Sequence, residues 1–129
     1  PRLESNLLDI IVATVSGELQ ESQIRWNASG SVGIVLASDG YPGAFDTGMV
    51  IQGLDLLPSG SLAFYGGVAL SDGNLVTDGG RVVTVVSQAG DVETASEKAY
   101  DSANLVKFDK MFYRSDIGKL LEQRDVRLS

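Results

Sequence analysis

Neither cysteine nor histidine occurs in this 129-residue chain. Without cysteine there are no disulfides, zinc–thiolate sites or thiol nucleophiles. Without histidine the commonest general base and the commonest metal ligand are gone. Any proton transfer falls to carboxylates, lysine, tyrosine or an external group. Positive charge is also scarce: 10 Lys and Arg stand against 17 Asp and Glu, a net charge of −7. That balance argues against a nucleic-acid partner. No apolar run approaches the roughly 18–20 residues that a membrane-crossing helix needs, so no membrane partner is expected. The opening Pro1-Arg2-Leu3-Glu4-Ser5-Asn6 does not have the pattern of a signal peptide, and a cytoplasmic location is expected. It has no starting methionine either, which points to a fragment.

What is present is ordinary for one globular domain: 43% hydrophobic and 21% charged residues, in a chain long enough to bury a sizeable core. Its organising stretch is Ser31 to Gly43. Val32 to Ala37 is a continuous apolar run of strand length, predicted to be buried on both faces. The breaker cluster Ser38-Asp39-Gly40-Tyr41-Pro42-Gly43 follows it. Proline restricts its own φ and the residue before it, and the glycines tolerate positive φ. A buried strand thus ends in a shaped loop carrying free amides and one aromatic hydroxyl, a common place for binding groups.

The spacing predicts a helix over Leu3 to Ser16, capped by Ser5 or Asn6 and stopped by Gly17. Leu7, Leu8, Ile11 and Val15 form its apolar face, which is expected to be buried. Glu18 to Trp26 reads as a short polar helix and then a strand from Gln23. Leu62 to Tyr65 is a strand stopped by Gly66-Gly67. Asn74 to Thr77 and Arg81 to Ser87 are strands that Asp78-Gly79-Gly80 is predicted to join as a tight hairpin. The run Val82 to Val86 makes the second of them central. A second helix is predicted over Asp91 to Val106, capped by Asp91, with Val92, Ala95, Ala99, Ala103 and Val106 as a narrow stripe that packs closely on a sheet. Beyond Lys107 the pattern dissolves, and Lys119 to Ser129 reads as a frayed helix or a tail. Few strands are separated by crossover helices. The expected class is therefore α+β, a mostly antiparallel sheet flanked by two main helices.

Four places could carry chemistry or shape a site. Gly40-x-x-Gly43 lacks the third glycine of a dinucleotide fingerprint and the Gly-Lys-Ser/Thr of a P-loop. It is either a β-turn, the weightier reading, or an anion cradle of successive amides. Arg81 follows Gly79-Gly80 and is one of three basic residues before Lys98, with Arg2 and Arg25. It is either a partner in an ion pair or a guanidinium fork for a carboxylate or phosphate. Arg114 and Asp116 read as a structural clasp that ties down the C-terminal segment, and Gly66-Gly67 as a point of close backbone or ligand approach. No nucleophile with an adjacent base and no pair of carboxylates can be singled out, so no catalytic residue and no metal ligand is assigned.

Three motifs, in order and suitably spaced, then align with one family. They are Val35-Leu36-Ala37-Ser38-Asp39-Gly40-Tyr41-Pro42-Gly43, Leu75-Val76-Thr77-Asp78-Gly79-Gly80-Arg81-Val82 and Tyr113-Arg114-Ser115-Asp116-Ile117-Gly118. Together they closely resemble the C-terminal domain of the glycinamide ribonucleotide synthetases (phosphoribosylamine–glycine ligases) of the ATP-grasp superfamily. Pro1 to Ser5 with its helix resembles the junction after that family's ATP-binding core. Two departures stand out: Tyr65-Gly66-Gly67-Val68 replaces a usual His-Ala-Gly-Thr, and Ser115 replaces a usual lysine.

The resemblance implies residues 1–118 as the C-terminal domain, residues 1–17 as its junction helix and residues 119–129 as an extension or tail. It implies part of a carbon–nitrogen ligase of purine synthesis, in which ATP phosphorylates glycine and the amine of phosphoribosylamine attacks the acyl phosphate. Glycinamide ribonucleotide, ADP and phosphate result. ATP and Mg²⁺ or Mn²⁺ belong to the ATP-grasp core of the full-length enzyme. That core is the implied partner, and none of these cofactors is expected on this fragment. The domain would close one side of the active-site cleft and be inactive alone. Gly40, Tyr41, Pro42, Gly43, Gly79, Gly80 and Arg81 would lie on the phosphoribosylamine side. The alternative is a stand-alone small-molecule-binding or protein-interaction domain of the same fold.

Overall fold

The structure is a computed structural model that describes residues 1–118. In chain order the elements are α1 (Leu7–Ser16), β1 (Gly30–Ser38), β2 (Ser61–Tyr65), β3 (Val68–Ser71), β4 (Asn74–Thr77), β5 (Arg81–Ala89), α2 (Val92–Ala103) and β6 (Met111–Phe112). Single 3-10 turns occupy Glu21–Gln23 and Leu54–Leu56. Two apolar, β-branched runs make the spine. β1 and β5 pair antiparallel from Gly30↔Ala89 to Ala37↔Arg81, with one irregularity between Leu36 and Ala37. The sheet order is β2-β5-β1-β6, and every pairing in it is antiparallel. The α+β class and the antiparallel sheet are as the sequence led one to expect.

The core lies between the sheet and α2. Ile34, Leu36, Val82, Val83 and Val85 are fully buried, as are Ala95, Ala99 and Ala103 of α2 and Val106 beyond it. Burying each larger aliphatic side chain contributes about 1.5–3 kcal/mol. The small alanine stripe lets the helix backbone approach the valines closely. Asp91 caps α2 as predicted, its side chain accepting from the Thr94 amide, but the helix ends at Ala103 and not at Val106.

Several expectations are corrected. β1 is not buried on both faces: Val32, Ile34 and Leu36 point into the core, whereas Gly33 and Val35 are exposed. The apolar run is continuous, but a helix covers only one side of the sheet. Directly opposed residues share a face, so the register sets Val35 beside Thr84 and Phe64, with Gly33, Val86 and Leu62 in the next row. Val35, Leu62 and Phe64 are 40%, 48% and 48% exposed, leaving an open apolar sheet face.

The first helix starts at Leu7, because Asn6 caps it and Leu3 is taken up in a bridge to Trp26. Gly17 ends it in the left-handed conformation. None of its residues is buried: its predicted core face, from Leu7 to Val15, stands in solvent. No strand forms over Gln23 to Trp26 beyond that one bridge, and a 3-10 turn stands where the short polar helix is expected.

Asp78-Gly79-Gly80 is not a hairpin tip. β4 pairs with β3, and β5 pairs with β1 and β2. The hairpin turn is Asp72-Gly73, where both residues have positive φ and join β3 to β4. Residues 61–71 thus run antiparallel to 74–87, and between the two ladders the Gly66 and Gly67 amides donate to the Val82 and Arg81 carbonyls while Gly67 lies against Gly79. A Cβ on Gly67 would stand 2.5 Å from the Gly79 Cα, so the two backbones touch only because neither residue has a side chain. Gly66-Gly67 is thus a close backbone approach, as read from the sequence. The short strand β6, in the stretch where the pattern dissolves, pairs with the end of β1. Lys119 to Ser129, read as a frayed helix or tail, lies outside the described residues.

Candidate functional site

Where β1 ends and β5 begins, two loops are stitched together. The Ser38 amide donates to the Gly80 carbonyl at 2.9 Å, and the Ser38 hydroxyl donates to the Gly79 carbonyl at 3.2 Å. The Asp39 amide donates to the Lys110 carbonyl at 2.8 Å. Past Ser38 the chain turns through Gly40, whose φ is +92° and whose absent Cβ would meet the Ala44 carbonyl oxygen at 2.1 Å. The Tyr41–Pro42 peptide bond is cis.

This loop is not an open amide cradle. The Gly40 amide donates to the Asp39 carboxylate at 3.0 Å, and the Tyr41 amide donates to the Ser38 carbonyl at 3.2 Å. Two amides that an anion would need are already used inside the turn. They belong to a turn over Ser38 to Tyr41, two residues earlier than the Gly40-x-x-Gly43 stretch.

Beside the loop opens a cleft of about 530 Å³, lined by Tyr41, Phe64, Tyr65, Gly66, Gly79 and Arg81 among others. Gly80 also lines it; Gly40, Pro42 and Gly43 do not, and serve instead to shape the loop that carries Tyr41. Phe64 and Tyr65 were not foreseen as lining residues. They arrive through the β2–β5 register, which pairs Phe64 with Thr84 and Tyr65 with Val83, and local sequence carries no signal for that. The Arg81 guanidinium sits over the Tyr41 ring, 5.9 Å from its centroid. Arg81 is exposed, and no carboxylate among the described residues lies within ion-pair distance of it.

The other cations near these loops are accounted for. Lys110 pairs with Asp46 at 2.6 Å. That bond holds the Asp46 carboxyl below its ordinary pKa and raises the Lys110 ammonium. Both are exposed, so the pair contributes little to stability. Arg114 grips Asp116 through two bonds of 2.8 and 2.6 Å, which raises the guanidinium pKa. This pair does not line the cleft. Its segment is fastened to α2, because the Tyr100 hydroxyl donates to the Arg114 carbonyl and accepts from the Ile117 amide.

Among the described residues, no group of three or more carboxylates converges where a metal ion could be held. The sequence has no phosphate loop either. No step through Mg²⁺ or ATP is assigned to the described residues.

The family described as "Phosphoribosylglycinamide synthetase, C domain" matches residues 31–120. The chain belongs to that family. The phosphoribosylamine–glycine ligase of Halalkalibacterium halodurans is 40% identical over 127 residues, which covers 98% of this chain and 29% of the relative. The chloroplastic phosphoribosylamine–glycine ligase of Arabidopsis thaliana is 36% identical, covering 97% of this chain and 24% of the relative. A crystal structure of phosphoribosylamine–glycine ligase from Thermotoga maritima matches with a TM-score of 0.72 at 36% identity, covering 84% of this chain and 26% of that one. This synthetase C domain thus spans less than a third of the length of the relatives it matches.

Proposed function

We propose that the synthetase C domain closes the phosphoribosylamine side of a ligase active site, with Arg81 meeting the substrate phosphate. The ligase joins glycine to phosphoribosylamine at the expense of ATP, giving glycinamide ribonucleotide, ADP and phosphate. The observation that carries the site assignment is an exposed guanidinium, free of any carboxylate partner among the described residues, at an aromatic-walled cleft. A guanidinium can hold a phosphate through two parallel hydrogen bonds. ATP and its Mg²⁺ or Mn²⁺ belong in this reading to an ATP-grasp core, which is the domain's partner. Two apolar surfaces support such a partner: the exposed stripe of α1, with Leu8 and Val15 at 64% and 84% exposure, and the open sheet face of Val35, Leu62 and Phe64. Monomeric soluble domains rarely leave contiguous apolar faces open.

Residues 1–118 form the domain in this reading, residues 1–17 its junction helix and residues 119–129 a tail. A cytoplasmic setting is part of the proposal, and among the described residues no helix is long and apolar enough to cross a membrane.

The test is Arg81→Ala in the full-length ligase. Truncating one partner of a desolvated charge pair costs about 2–5 kcal/mol of binding. The KM for phosphoribosylamine should rise about thirtyfold or more while those for ATP and glycine hold. If all three constants stay put, Arg81 does not meet the substrate.

A further inference from the structure

We propose that Tyr41 is a positioning residue for Arg81, and that position 80 is glycine because the Tyr41 ring occupies the space of a side chain there. The inference rests on the reading that Arg81 meets the substrate phosphate, and it names what aims it. An exposed arginine samples many rotamers, and gripping a ligand costs the entropy of fixing them. A guanidinium already held in place pays less of that cost, which is how preorganisation improves affinity.

The ring is held from several sides. A Cβ built on Gly80 would stand 2.0 Å from the Tyr41 Cδ2 and 2.8 Å from its Cε2 and Cγ, far inside any real contact. Phe45 meets the ring edge-on, with centroids 6.2 Å apart and planes at 61°. The Tyr41 amide is bonded to Ser38, and Ser38 is bonded to both Gly79 and Gly80. The loop that carries the ring is therefore tied by hydrogen bonds to the start of the strand that carries the guanidinium. On this base the ring presents a π face to the Arg81 cation at 5.9 Å. An aliphatic side chain of similar bulk would fill the volume without attracting the charge. Neither Gly80 nor Tyr41 needs to touch the substrate to matter, because both act through the direction of Arg81.

The test is a cycle in the full-length ligase: Tyr41→Phe, Tyr41→Leu, Gly80→Ala, Arg81→Ala and the Tyr41→Leu/Arg81→Ala double variant. Tyr41→Phe keeps the π face and should leave the KM for phosphoribosylamine within about twofold of the parent. Tyr41→Leu should raise that KM about threefold to thirtyfold, the range a cation–π contact spans from exposed to desolvated settings, with the constants for ATP and glycine unmoved. Gly80→Ala should act in the same direction by displacing the ring. Should that variant fail to fold, the tyrosine variants decide the matter. The double variant should be no worse than Arg81→Ala alone, since a positioning residue has nothing left to position. If Tyr41→Leu keeps its full effect on the Arg81→Ala background, or if Tyr41→Phe is as impaired as Tyr41→Leu, the ring does not act through Arg81 and the proposal falls alone. If Arg81→Ala itself leaves the phosphoribosylamine constant unchanged, the underlying reading falls and this inference falls with it.

Discussion

Asp91 shows how one side chain sets both a boundary and a pH response. Its carboxylate accepts from the Thr94 amide at 2.7 Å and from the Thr94 hydroxyl at 2.9 Å. These two bonds hold its pKa below the ordinary value of 3.8. A carboxyl whose folded pKa is depressed adds stability above its unfolded pKa and loses it as pH falls through the folded one. The window therefore lies below about pH 4. Thermal melts between pH 2 and 7 should show Asp91→Ala melting lower at neutral pH, with a shallower acid limb. Asp91→Asn keeps the acceptor but not the titration, and should restore much of the neutral melting temperature while leaving the acid limb shallow. Identical acid limbs for all three proteins would mean that the cap does not carry this response. The cap itself is legible from the sequence, because a helix start asks for a short polar acceptor at one position. The Arg81–Tyr41 contact is not, since it joins residues 40 apart through two loops that sequence spacing does not relate.

The two helices differ in what their apolar stripes meet. Ala99 in α2 is wholly buried against the sheet, whereas Val15 in α1 is 84% exposed. Adding bulk at Ala99 must push the helix from β1 and β5, and such overpacking costs about 1–3 kcal/mol. Chemical denaturation of the isolated chain should therefore show Ala99→Leu markedly destabilised and Val15→Gln within about 0.5 kcal/mol of the parent. In the full-length ligase Val15→Gln should become destabilising, if α1 is covered by the core. An equally small effect in both settings would remove α1 from the interface. Periodicity revealed both stripes. It did not reveal which of them this chain covers, because periodicity reports a face to be buried and is silent about its partner. The same blindness explains β1, whose continuous apolar run is exposed on one side at Val35.

The described residues carry a closed core between one helix and one sheet, and among them no group of three or more carboxylates converges on a metal site. Purified chain should unfold in a single cooperative transition and show no glycine-dependent ATP hydrolysis above a blank. Measurable turnover would place catalytic groups in this domain and overturn their assignment to the rest of the ligase. What the sequence determined by itself is what local physics encodes: the antiparallel α+β class from strand-length apolar runs, the Asp91 cap, a cap at Ser5 or Asn6, the Gly17 stop and the alanine stripe of α2. The hairpin forms at Asp72-Gly73, a turn dipeptide between apolar runs, and not at the glycine pair Gly79-Gly80. Only the tertiary structure decided that this glycine pair is a crossing point and not a turn, that β5 lies between β1 and β2, and that Tyr41, Phe64 and Arg81 share one cleft. The reason is physical. Turn and cap preferences depend on a few neighbouring dihedrals, whereas strand order and close backbone approach depend on long-range pairing, which no local window of sequence records.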